Sequence, residues 1–94
     1  MSENEVRIGQ LVSSLQGRDS GMFYLMMQIE NESRVLVADG EGREVEKPKR
    51  KNIKHLKFYD IVAKNIFAKA QIGKRVTNED VRMEIKSLVS QLPL

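Results

Sequence analysis

The nine residues Met22 to Glu30 (MFYLMMQIE) constrain the fold of this chain more tightly than any other stretch. In an extended backbone Phe23, Leu25, Met27 and Ile29 fall on one side, and Met22, Tyr24, Met26, Gln28 and Glu30 fall on the other. Strict period-two spacing marks a strand. Met22, Tyr24 and Met26 make the second side partly apolar as well, so both faces of this strand must be covered by the rest of the chain.

The neighbouring runs show what could cover it. From Val6 the sequence breaks into short extended segments separated by glycine and polar turns: VRIGQLVSSL, then QGRDSG, then the two-sided run, then NESR, then VLVADGEGREVEK. Asp39-Gly40 supplies the positive φ values that tight hairpins need, and Asn31-Glu32-Ser33 is a weaker turn between the second and third runs. This pattern predicts four strands in up-and-down order, the fourth at Arg43–Glu46, and a short fifth near His55–Phe58. Strands this short curl into a small barrel to remove their exposed edges. Residues 1–5 are expected to be a frayed lead-in.

After Phe58 the periodicity becomes helical. Asp60 is expected to cap a first helix whose apolar face is Ile61, Val62, Ala63, Ile66, Phe67 and Ala70, with Gly73 ending it. Thr77 is the expected N-cap of a second helix, with Glu79 and Asp80 in its first turn, where the helix dipole favours negative charge. Val81, Ile85, Leu88 and Leu92 then form one stripe, closed by Pro93. The expected architecture is therefore mainly β: a five-stranded barrel over residues 1–58, followed by a helical hairpin over 59–94 that packs on its outside as one compact domain. With 94 residues and no cysteine, packing alone must hold it together.

Charge is divided steeply along the chain. Residues 1–46 carry a net −5, residues 47–59 a net +6 and residues 60–94 a net +2, within an overall +3. The run Lys47 to Lys57 (KPKRKNIKHLK) holds Lys47, Lys49, Arg50, Lys51, Lys54 and Lys57 with His55 and no acid. Such a density asks for a polyanion. Most charge runs are only solvated loops, but Pro48 stiffens the start of this one, and Ile53, Leu56 and Phe58 interleave apolar anchors with the lysines. The segment is expected to be pinned to a core and to touch nucleic acid through phosphates. Asn52 is the best candidate for a directed hydrogen bond. His55 could contact phosphate or stack on a base, or could pack and bond to backbone; the sequence supports both.

Gly9, Val12, Gly17 and Gly21 recur at spacings of three, five and four. Gly17 and Gly21 bracket a loop in which small residues let a partner's backbone approach closely. This spacing, with Gly17-Arg18-Asp19-Ser20-Gly21 running into an aromatic-aliphatic strand, resembles the KOW motif of RNA-binding and ribosomal proteins. Val35–Gly40, Val45–Lys49 and Arg50–Leu56 are similar to the small bacterial KOW-domain RNA-binding proteins, relatives of the fourteenth large-subunit ribosomal protein of archaea and eukaryotes. The resemblance covers residues 6–58. It implies an SH3-like barrel, a cytoplasmic, ribosome-associated role in translation, and binding to structured RNA such as ribosomal RNA. The residues it implicates are Gly17, Arg18 and Gly21 in the loop and Arg50, Lys51, Asn52, Lys54 and His55 in the second block. Ser20 and Met22 stand where family members usually carry cations, so the loop presents Arg18 alone and the basic run must supply more of the binding.

Other classes are less well supported. One histidine, no cysteine, no convincing carboxylate pair and no Gly-x-x-x-x-Gly-Lys loop argue against an enzyme, a cofactor or a small-molecule substrate. The N-terminus is polar and acidic, unlike a signal peptide, and no apolar run is long enough for a membrane span. The main rival is a protein-interaction module that uses the acidic half and the helical hairpin.

Overall fold

A computed structural model describes residues 6–93; the lead-in expected at residues 1–5 lies outside the described residues. Five strands, β1 (Gln10–Ser14), β2 (Phe23–Ile29), β3 (Arg34–Ala38), β4 (Lys49–Asn52) and β5 (Leu56–Val62), are followed by helices α1 (Lys64–Gln71) and α2 (Asn78–Val89). The strands form one antiparallel sheet in the order β4-β3-β2-β1-β5. A 3-10 turn, Ile53–His55, joins β4 to β5.

The two-sided strand is the centre of this arrangement. Tyr24 and Met26 turn inward with Val12, Val35, Val37 and Leu56 to form an interior core. Leu25 turns outward with Leu11 to meet Ala63, Ile66, Val81 and Leu88 of the helical segment, with Phe23 and Met27 packed against this second core. Each fully buried aliphatic side chain of this kind contributes about 1.5–3 kcal/mol. The sheet curls partly through a bulge. Met26 pairs with Val37 but Gln28 pairs with Leu36, leaving Met27 unpaired and bending β2. The two ends of the run, Met22 and Ile29, are exposed because both cores end before them.

Three expectations need correction. Arg43–Glu46 is not a strand. Asp39 Oδ1 accepts from the backbone N–H groups of Glu41 and Arg43, Lys47 N–H donates to Glu44 O, and Val45 N–H donates to Asn78 Oδ1 on α2. Local turns and the helix thus satisfy backbone groups that a sheet ladder would otherwise have paired. The fourth strand lies instead inside the basic run, at Lys49–Asn52. Asp60 does not cap α1 either: β5 continues past residue 58 to Val62, paired with Gln10, and the N-cap of α1 is Ala63, which makes no side-chain capping bond. Of the face expected for α1, Ile61 and Val62 therefore belong to β5, and Phe67 and Ala70 are exposed while Ile66 is fully buried.

The second helix follows its sequence signals closely. Thr77 Oγ1 accepts from Asp80 N–H at 3.1 Å, and Asp80 Oδ2 accepts from Thr77 N–H at 3.0 Å, a reciprocal capping box. Asp80 Oδ2 also accepts from Lys69 Nζ of α1 at 2.7 Å, tying the two helices together. The Lys69 ammonium, then the Thr77 backbone N–H, pull the Asp80 carboxyl down to about 2.

Candidate nucleic-acid interface

The turn between β1 and β2 contains Gly17 and Gly21, both at φ +89°. Side chains other than glycine rarely adopt that conformation. Gly21 N–H donates to Ser14 O at 2.8 Å, Met22 N–H to Asp19 O at 2.9 Å and Ser20 N–H to Gly17 O at 3.2 Å. Arg18 projects from this turn and is exposed.

The basic run lies beside the turn. Leu15 N–H, just past β1, donates to His55 O at 2.9 Å. Because β4 is a strand, its side chains alternate. Lys49 and Lys51 pair across the ladder with Val37 and Val35, whose side chains enter the interior core, so both lysines turn the same way. Lys49 Nζ donates to Asp19 Oδ2 and Lys51 Nζ to Asp19 Oδ1, each at 3.1 Å. Lys51 is only 8% exposed. Burying an ammonium group is costly unless a carboxylate and further acceptors meet it. Besides Asp19, Lys51 finds Ser14 Oγ at 2.9 Å.

Asp19 receives two more donors. Tyr24 OH donates to Oδ2 at 2.7 Å, and Ser14 Oγ lies 2.9 Å from Oδ1. Burial pushes the Asp19 carboxyl up, but the bonds from Tyr24, Lys51, Lys49 and Ser14 outweigh it and hold the group below the usual carboxylate range. Burial and the neighbouring Asp19 raise the Tyr24 phenol, so it stays a donor. The carboxylate thus joins the glycine turn to β4 through bonds on both its oxygens.

The remaining residues of the run point elsewhere. Arg50 turns outward and is held by Glu30 in a two-pronged pair, Nε to Oε1 at 2.8 Å and Nη2 to Oε2 at 3.1 Å. Asn52 Oδ1 caps the 3-10 turn by accepting from Lys54 N–H at 2.9 Å. Ile53, Leu56 and Phe58 pack on the interior core, as their interleaving predicts. His55 is half-buried. Lys57 Nζ stands 5.1 Å from the centre of the Tyr59 ring. Among the described residues Arg18, Lys47, Lys54 and Lys57 make no ion pair, and all four are exposed.

Two kinds of predicted site residue are therefore distinguished. Lys49, Arg50 and Lys51 are already paired with carboxylates, whereas Arg18 of the turn and Lys47, Lys54 and Lys57 of the basic run are exposed. Asp19 and its partners Ser14 and Tyr24 did not emerge as site residues from the sequence. The available signal was a single acid inside a glycine turn, in a chain whose densest block of lysines had no acid of its own.

The chain is 38% identical over 71 residues to the "Putative ribosome-binding protein YbzG" of Bacillus subtilis (strain 168), a match that spans 76% of this chain and 96% of the relative. The chain belongs to the same family as YbzG. A match of this length includes at least part of the basic strand Lys49–Asn52, since fewer residues lie outside it than separate that strand from either end. No protein-family model matches the chain.

Proposed function

We propose that this protein associates with the ribosome by binding structured RNA, and that its contact surface is the glycine turn together with the exposed cations beside it. The observation that carries this reading is the juxtaposition itself. Two segments about thirty residues apart in sequence are joined through Asp19 and through the Leu15–His55 bond, so that the exposed Arg18 of the turn and the exposed Lys47, Lys54 and Lys57 of the basic run belong to segments held together. Kinship with a protein named for ribosome binding supports it.

In this reading Arg18, Lys47, Lys54 and Lys57 neutralise phosphates, while Gly17 and Gly21 allow the turn's backbone to come close. The free amide nitrogen of Asn52 and the ring of His55 are placed to add directed bonds. Lys49, Arg50 and Lys51 hold the scaffold. Structured RNA is read mainly through backbone and shape, which suits a rigid rim of cations without a stacking platform. The KOW-like spacing of the glycines belongs to this proposal. No catalytic step is part of it.

Sedimentation with ribosomes tests it. Arg18→Glu, Lys54→Glu and Lys57→Glu together should abolish co-sedimentation while leaving the fold intact, because none of the three is ion-paired among the described residues. A fourfold rise in salt should weaken wild-type binding on the order of a hundredfold if about four phosphates are engaged. Unchanged sedimentation of the triple variant would place the ribosome contact elsewhere on the molecule.

A further inference from the structure

The acid in the glycine turn presents a contradiction for any polyanion-binding surface. A carboxylate at the centre of the contact face repels phosphate, and replacing it by a neutral residue raises the net charge from +3 to +4. Electrostatics alone therefore predicts that Asp19→Asn binds RNA more tightly. The structure points the other way. All the acceptor capacity of the Asp19 carboxylate is directed inward: Oδ1 faces Lys51 Nζ and Ser14 Oγ, and Oδ2 faces Lys49 Nζ and Tyr24 OH. Its side chain is 14% exposed. The two ammonium groups offset its charge, and little of it is presented to solvent.

We propose that Asp19 is the positioning residue of the interface, a latch that holds the Gly17–Gly21 turn against β4 in the geometry that meets RNA. This inference rests on the RNA-binding reading of the same face. Backbone bonds within the turn close it locally, but the bonds from Asp19 to Lys49 and Lys51 join it to a separate strand. Without the latch the turn becomes an ordinary hairpin tip, and binding must restrict several residues that are now pre-ordered. Ordering costs backbone freedom, of which a turn retaining its own hydrogen bonds loses only a part.

An asparagine in place of Asp19 keeps one acceptor oxygen and turns an amide donor towards two existing donors, so the network cannot re-form around it. Asp19→Asn should bind ribosomes on the order of tenfold more weakly than the wild type despite its added positive charge. Amide exchange should accelerate at Ser20, Gly21 and Met22, while the amides of α2 remain as protected as before. Asp19→Glu, which retains the charge on a longer stem, should recover part of the affinity. Tyr24→Phe is the milder probe: it removes one donor to Oδ2 from an otherwise apolar, buried side chain, and should give a smaller loss in the same direction. If Asp19→Asn fails to fold, Tyr24→Phe decides the matter by the same pair of measurements. Equal or tighter binding by the neutralised variant, with the triple cation variant still unable to bind, would overturn the latch and leave the RNA reading standing. Intact binding by the triple variant would remove the face itself, and the latch with it. Accelerated exchange throughout the molecule would mean that Asp19 serves global stability rather than the turn.

Discussion

Replacing Gly40 with alanine should destabilise this protein severely, while the same change two residues later should not. Gly40 has φ +80°. A Cβ there would overlap the backbone oxygen of Asn78 and come within 2.9 Å of Arg82 Cγ, both on α2. The left-handed conformation costs a non-glycine residue about 1–2 kcal/mol. Relief of the overlap must move the loop away from the helix, which threatens the charge-assisted bond from Arg82 Nη1 to Gly40 O at 2.7 Å and the bond from Val45 N–H to Asn78 Oδ1 at 2.8 Å. Bonds of these two kinds contribute about 1.5–3 and about 1 kcal/mol. The total is on the order of 3.5–6 kcal/mol if both bonds are lost, a large part of the ~5–15 kcal/mol available to a small domain. With about 4–8 °C per kcal/mol, the melting temperature of Gly40→Ala should fall by at least ~10 °C. A Cβ at Gly42 would meet no atom within 4 Å beyond its chain neighbours, and Gly42 has no positive φ. Gly42→Ala should be neutral, or stabilising by up to ~1 kcal/mol through the unfolded state. Thermal unfolding followed by circular dichroism measures both variants. A Gly40→Ala melt within about 3 °C of the wild type would refute the docking of this loop on α2 as an energetic contribution.

The other predictions use simpler assays. Thr77→Ala removes one half of the capping box and should cost about 1 kcal/mol, a fall of ~4–8 °C in the same melt. The Asp80 carboxyl titrates at about 2 in the fold, and Asp19 also lies below the usual range. Folded-state values lower than the unfolded ~3.9 mean that both acids stabilise the protein above about pH 4, and that this stability is lost as the pH falls towards 2. Urea midpoints measured at about pH 5 and pH 3 should therefore differ, and less so in Asp80→Asn. In ribosome binding, Lys54→Gln should flatten the salt dependence by about one unit of slope. Arg50→Gln should change it much less, because Glu30 already holds that guanidinium. Equal flattening by the two variants would show that Arg50 leaves Glu30 to meet the ribosome.

Much of the architecture was legible because its signals are local. The two-sided alternation of Phe23–Ile29, the turn chemistry at Asn31–Ser33, and the Thr77 cap with its stripe of Val81, Ile85, Leu88 and Leu92 each depend on residues within a few positions of one another. The fourth strand was not legible. Its inward positions are Lys49 and Lys51 rather than aliphatic residues, so the hydrophobic alternation that marks a half-buried strand is absent. Arg43–Glu46 carries a better alternation and sits where a hairpin partner belongs, yet Asn78 and Arg82 of α2 engage this loop instead. Asp60 had the chemistry of a cap, but β5 extends through it.

The amino-acid order by itself determined that the chain must cover one strand on both sides, that helices follow strands, and that a block of positive charge is anchored by apolar residues. Those properties follow from periodicity and composition, which act over short separations. The tertiary structure decided which cations are spent. Lys49 and Lys51 are bound to an acid thirty or more positions earlier, and Arg50 to one twenty positions earlier. Pairing across such separations depends on strand register and on which face each side chain takes, and neither is encoded in the charge run itself.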